Sequence, residues 1–153
     1  MLNNDVLRSV RYMLDLSDAK VVEILKLANY DVTKSEVDAY LKKEDEEGFA
    51  PCDDEVLAHF LDGLVIHRRG KDESRPTPPI ELPLTNNVVL KKLRVAFELK
   101  EDDILGLLQA VDLPISRPEL SALFRKFGHS NYRTCGDQVL RNFLKGLTHR
   151  VRD

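Results

Sequence analysis

Apolar residues along the chain recur at helical spacing, and the clearest stripe is Val56, Leu57, Phe60, Leu61 and Leu64. Offsets of three and four place these side chains on one helix face. The same stripe returns at Val139, Leu140, Phe143, Leu144 and Leu147. Ahead of it, Val6, Leu7, Val10 and Leu14 predict a first helix after Asn3-Asn4, whose amides suit an N-cap. A second helix is expected from about Ser17 to Ala28. A third starts at Thr33, with Glu36 three residues on as a capping box, and buries Val37, Tyr40 and Leu41. Ser116 and Glu119 repeat that box. Asp54 and Asp137 stand where the fourth helix of each set is expected to be capped. No alternating pattern competes, so the expected fold is all-α.

The recurrence is a duplication. An ungapped shift of 83 residues pairs 1–70 with 84–153, matching Asn3-Asn4 with Asn86-Asn87, Val6-Leu7 with Val89-Leu90, Leu16 with Leu99 and Leu25 with Leu108. Cys52-x-Asp54-x-Val56-Leu57-x-x-Phe60-Leu61-x-Gly63-Leu64 reappears as Cys135-x-Asp137-x-Val139-Leu140-x-x-Phe143-Leu144-x-Gly146-Leu147. The expected architecture is two homologous small helical domains in tandem, of about four helices each, at 1–70 and 84–153. Residues 71–83, with Pro76, Pro78, Pro79 and Pro83, read as a semi-extended linker. Gly63 and Gly146 fall inside the fourth helices, where glycine costs about 1 kcal/mol relative to alanine. Keeping it twice points to close helix packing rather than to ligand contact.

The repeated Asn-Asn-x-Val-Leu, the following arginine and the Cys-x-Asp-x-x-Leu-x-x-Phe-Leu-x-Gly-Leu segment resemble the YehS-like family of bacterial proteins. The resemblance covers both halves. It implies two copies of one helical unit and a bacterial cytosolic origin, and it brings no catalytic residue, because the family's function is unknown. The copies diverge after the glycine: Val65-Ile66-His67-Arg68-Arg69-Gly70 ends the first, Thr148-His149-Arg150-Val151-Arg152-Asp153 the second.

Composition narrows the functional classes. The chain has 153 residues, 42% of them hydrophobic, which supplies a real core. Its apolar runs, such as Val21-Val22 and Leu64-Val65-Ile66, fall far short of the roughly 20 residues that span a bilayer. The N-terminal residues Met1 to Asp5 lack a secretory pattern, so a cytoplasmic location is expected. Cys52 and Cys135 have no CxxC or histidine-pair context and read as buried hydrophobes rather than a disulfide or a zinc site. No P-loop, GxGxxG, GxSxG or HExxH occurs, and His59, His67, His129 and His149 are scattered. His59 reads as a solvated helix-face residue. The run Glu44-Asp45-Glu46-Glu47 lacks the spacing of a calcium loop and reads as a solvated loop. A non-enzymatic chain with no cofactor and no metal is expected.

Charge is the sharper clue. Residues 1–70 carry nine Lys plus Arg against fifteen Asp plus Glu, a net −6, whereas residues 84–153 carry twelve against eight, a net +4. Mutual attraction of the halves, within a chain or between chains, is one consequence, and it favours a binding or adaptor protein whose partner is a protein or another copy of itself. The alternative is a nucleic-acid-binding regulator using Arg125, Lys126, Arg133, Arg141, Lys145, Arg150 and Arg152. The second and third helices loosely resemble a helix-turn-helix, although ordinary packing produces the same spacing. Arg11 with Glu36, and Arg94 with Glu119, form a repeated charged set: either a polar site present twice, or ion pairs of little energetic value.

Overall fold

The structure is a computed structural model describing residues 1–71, 73–74 and 79–153. Among the described residues there are eight helices and no strand. They are α1 (Asn3–Leu14), α2 (Asp18–Leu27), α3 (Lys34–Leu41), α4 (Asp54–Arg69), α5 (Asn86–Ala96), α6 (Glu101–Ala110), α7 (Arg117–Leu123) and α8 (Asp137–Arg152). The expected linker 71–83 is described only at its ends, and its stretch through Pro76 and Pro78 lies outside the described residues.

Local chemistry sets the helix ends in the same way twice. The Thr33 and Ser116 hydroxyls accept from the backbone N–H of Glu36 and Glu119, whose carboxylates accept from the Thr33 and Ser116 N–H groups in return. Helices α1, α2, α5 and α6 close through left-handed residues at Asp15 or Asn29 and their repeat equivalents Glu98 or Asp112. There Leu16 N–H donates to Arg11 O, and Leu99 N–H to Arg94 O, tying off carbonyls that the helix leaves unpaired.

Two expected caps are corrected. The α1 N-cap is Leu2, and the α5 N-cap is Thr85, whose hydroxyl accepts from Val88 N–H. The paired asparagines instead lie inside the first turns and hold the incoming loops. Asn4, buried, donates its two amide protons to Tyr40 O and Ala50 O, both at 2.9 Å, and accepts from Cys52 N–H at 3.0 Å. Asn87 does the same with Leu123 O, Arg133 O and Cys135 N–H. A carboxamide alone among short side chains offers two donors and an acceptor at once, which is why asparagine fits here. Likewise α4 is capped by Asp53, which accepts from Val56 N–H, and α8 begins after Gly136. Asp54 and Asp137 accept from Asn3 and Asn86 instead, each at 2.8 Å.

Close packing at the helical glycines is as expected. A Cβ on Gly63 would stand 2.0 Å from the carbonyl oxygen of Ile24 in α2, and one on Gly146 would stand 2.6 Å from that of Leu107 in α6. Gly106 differs: it lies within α6, and a Cβ there meets nothing within 4 Å. Replacing Gly106 with alanine should raise stability by about 1 kcal/mol through helix propensity. Urea unfolding followed by circular dichroism would measure it.

The two copies do not stand apart. Helix α4 packs on α2 of its own repeat and on α5 of the other, while α8 packs on α6 and on α1. Each fourth helix therefore leans on the first helix of the opposite repeat, and a single buried cluster runs from Val6 through Phe60 to Phe143 and Leu147. Within each pair the helices run in the same direction. At the starting ends, Leu84 N–H donates to Asp54 and the Met1 amino group to Asp137. At the finishing ends, Arg68 donates to Ala96 O and stacks on Phe97, and Arg152 donates to Tyr12 O and stacks on the Tyr12 ring. Residue 84 is the repeat equivalent of residue 1, so the same contact is made twice with the repeats exchanged. The result is a pseudo-dimer inside one chain, related by an approximate two-fold.

Candidate binding surfaces

The duplicated carboxylates and thiols sit at the heart of this framework and are occupied with structure. Cys52 and Cys135 are free and buried. Burial, and then the neighbouring Asp53 and Asp54, pushes the Cys52 thiol up to about 12. Burial and Asp137 push Cys135 up to about 11. Both thiols should therefore resist a thiol-specific reagent at pH 8 in the native protein and react once it is denatured, which an absorbance assay would follow. The unfolded chain ionises these groups first, near the unperturbed value of about 8.5. Stability is accordingly full below that pH and declines as pH rises towards the folded values of about 11 and 12.

His59 departs from its expected solvated setting: it is half-buried, stacks on Tyr30 at 4.5 Å, and its Nδ1 lies 2.7 Å from Glu55 O. Among the described residues no group of three or more His, Cys, Asp and Glu is arranged to hold a metal ion. The acidic run at Glu44 to Glu47 is exposed, with Glu46 accepting from Lys43 N–H. No helix of the described residues is long and apolar enough to cross a membrane.

The repeated charged set comes apart. Glu36 and Glu119 serve their capping boxes, and hydrogen bonds from Ser116 hold the Glu119 carboxyl below its usual range, with a smaller contribution from Arg133. Arg94 donates to Leu99 O and lies over the Phe124 ring, whereas Arg11 is exposed. Neither arginine meets the glutamate expected beside it, so the two copies share no ion-paired site at these positions.

The seven basic candidates divide into three groups. Arg150 pairs with Asp103 at 3.3 Å, and Arg152 caps α1, so both are engaged in holding the fold. Arg125 and Lys126 follow α7 on an exposed loop beside Phe127, which is 83% exposed and meets Tyr132 edge-on. Arg133 shares this tip. Its backbone is fixed by Ala122 O and by Asn87, and with Arg125, Tyr132 and Glu119 it borders an open cleft of about 690 Å³. Arg141 and Lys145 are exposed and one turn apart on α8, Arg141 faces α1, Lys145 is the repeat equivalent of the seam residue Asp62, and neither makes an ion pair or hydrogen bond with the described residues. Arg141 lines a second cleft, of about 360 Å³, with Asp5, Arg8, Ser9, Tyr12 and Thr148.

Sequence reasoning missed the first-helix half of this cleft and the exposed Phe127. One signal was present. In the shift of 83, Ala58 and Asp62 are paired with Arg141 and Lys145, so a neutral and an acidic position on α4 both become basic on α8.

What these features define is a class: a duplicated all-helical domain, closed on itself about a pseudo-two-fold, with a surplus of cations on the surface of its second copy. The model of a family described as a protein of unknown function (DUF1456) matches residues 3–70 and again residues 86–153. The chain belongs to that family. It is 51% identical over 150 residues to an uncharacterized protein, YehS, of Escherichia coli strain K12, covering 98% of this chain and 96% of that relative. No solved structure matches the chain.

Proposed function

We propose that this chain is a non-enzymatic binding or adaptor protein of the bacterial cytosol whose partner is a protein. One observation carries the reading: Arg141 and Lys145 are exposed cations one turn apart on α8, Arg141 lining a preformed cleft, and neither makes a direct ion pair or hydrogen bond with the described residues, Asp137 acting on Arg141 only at longer range. Cations held in a fixed geometry and left unpaired favour an acidic partner in both encounter rate and orientation. Attraction between the −6 and +4 halves is met in part inside the chain. Lys92 pairs with Asp62 across the α4–α5 contact at 2.8 Å, both largely shielded from water. Among the cations of the second repeat that make no ion pair are Arg141 and Lys145 on α8 and Arg125, Lys126 and Arg133 at the tip.

Affinity capture on the full chain, followed by light scattering of the isolated complex, tests this. The expected result is a defined protein partner that is lost as salt is raised. A monomer with no specific partner would count against it.

A second reading has its own observation: the exposed Phe127 beside Tyr132, flanked by Arg125, Lys126 and Arg133, is a small aromatic and cationic tip of the kind on which nucleic-acid bases stack. Here a salt titration of DNA and RNA binding decides, and the intact protein is the right material because the two halves share one core. Absence of affinity at low ionic strength would remove the reading.

A further inference from the structure

The pseudo-two-fold makes two seams, one between α4 and α5 and one between α1 and α8, and the described residues fill only one of them. On the α4–α5 side, Glu81 of the linker reaches into the seam, with its Oε1 3.0 Å from Lys91 Nζ and 3.9 Å from Lys92 Nζ. Lys92 also pairs with Asp62. Ala58, Asp62, Glu81, Leu84, Val88 and Lys92 close around the seam and leave no room for a water molecule.

The α1–α8 seam is the same place with the repeats exchanged. Met1, Asp5, Ser9 and Arg141 line it where Leu84, Val88, Lys92 and Ala58 line the other. It is open, with a volume of about 360 Å³, within the range of small-ligand clefts. Its charge also differs. The α8 wall presents Arg141 and Lys145 where α4 has Ala58 and Asp62, and Arg8 stands where α5 has Lys91. Arg8 is partly satisfied by Asp5 and by Lys42 O. Asp137, at the seam's starting end, spends its oxygens on Asn86 and the Met1 amino group. Asp137 acts on Arg141 only through space, and among the described residues no carboxylate forms with Arg141 or Lys145 the direct ion pair that Glu81 forms with Lys91 and Lys92.

We propose that the α1–α8 seam is a docking site for an extended, carboxylate-bearing segment of a partner protein, its carboxylate placed as that of Glu81 is placed on the α4–α5 seam. The inference rests on the protein-binding role proposed above and names its site. A peptide carboxylate suits the seam better than a nucleic-acid backbone, because one wall belongs to the repeat of net charge −6 and Asp5 lies in the cleft. A single carboxylate between Arg141 and Lys145 is attracted locally, whereas a run of phosphates is repelled by the rest of that half.

The test is a chemical-shift titration of the full chain with an end-blocked peptide of the sequence of residues 79–83, alongside its Glu81→Gln counterpart. The glutamate peptide should shift resonances of Ser9, Tyr12, Lys145 and Thr148, and the glutamine peptide should bind about tenfold more weakly or worse. Charge reversal at Arg141→Glu with Lys145→Glu should abolish the response, whereas reversal at Arg125→Glu with Lys126→Glu should leave it intact. Both variants change exposed residues, and circular dichroism verifies that each is folded. Equal binding of the two peptides, shifts outside the seam, or indifference to the α8 reversal overturns the proposal. So does a single-stranded oligonucleotide that takes the seam in preference to the peptide. Capture of a protein partner that the α8 reversal does not weaken would leave the binding role standing and remove this site.

Discussion

Replacing Gly63 with alanine is expected to destabilise the protein by about 3 kcal/mol, against the direction that helix propensity alone would give. Alanine favours a helix interior by about 1 kcal/mol over glycine. The added Cβ, however, would lie 2.0 Å from the Ile24 carbonyl oxygen and 2.9 Å from its carbon. Those are backbone atoms of a packed helix, and no rotamer change moves them, so α4 must retreat from α2. Overpacking of this kind costs about 1–3 kcal/mol and more where the backbone has to shift. Because α4 also forms the seam with α5, the retreat is transmitted to the contact between the repeats. In a chain of this size the loss corresponds to a fall in Tm of roughly 6–12 °C. Gly146→Ala provides the internal comparison, since its Cβ would approach Leu107 O at 2.6 Å and the displacement needed is smaller. The order wild type, Gly146→Ala, Gly63→Ala in falling Tm is the expected result. A Gly63→Ala protein as stable as the wild type would show that α4 is free to move.

Truncating Asn4 to alanine should be comparably damaging, by about 3–5 kcal/mol, for a different reason. Its carboxamide satisfies two carbonyls and one N–H that come from separate parts of the chain: the last turn of α3, the loop at Ala50 and the segment entering α4. With the side chain gone these groups lose their partners in an enclosed place, and each orphan costs about 1–3 kcal/mol unless water enters. Asn87→Ala should behave alike in the second copy. Asn4→Asp is the discriminating variant. It keeps the size and the acceptor but loses both donors and sets a charge against Tyr40 O and Ala50 O, so it should rescue nothing. Denaturant unfolding gives the magnitudes, and amide exchange should show residues 42–52 released first in the Asn4 variants. A change below 1 kcal/mol for Asn4→Ala would mean that the loop is held by something else.

These two residues also show where sequence reading succeeds and where it stops. That Asn4 and Asn87 recur at one spacing is plain from the sequence, yet the pattern at Asn3-Asn4 points to a cap, because a polar side chain before an apolar stripe suits a cap equally well. The partners that decide the matter, Tyr40, Ala50 and Cys52, lie 36 to 48 residues away in the chain. For the glycines the reading was closer. A helix-interior glycine kept at both positions has a local cost that only close packing offsets, although the backbone it touches was invisible. The cationic surface was legible as a list but not as a surface: Arg150 and Arg152 are engaged by Asp103 and Tyr12, whereas Arg141 lines the cleft beside α1 and Lys145 stands exposed one turn on.

By itself the sequence determined the helices, their repetition and most of their ends, because helical periodicity and capping boxes are contacts between residues three and four apart. It determined also that the two copies carry opposite charge. Only the tertiary structure decided that each fourth helix packs against the first helix of the other copy, that the apolar stripes merge into one core, and that one of two equivalent seams is closed by Glu81 while the other stays open. Those outcomes depend on which surfaces meet after the chain has turned back on itself. Distance along the chain carries no record of such meetings.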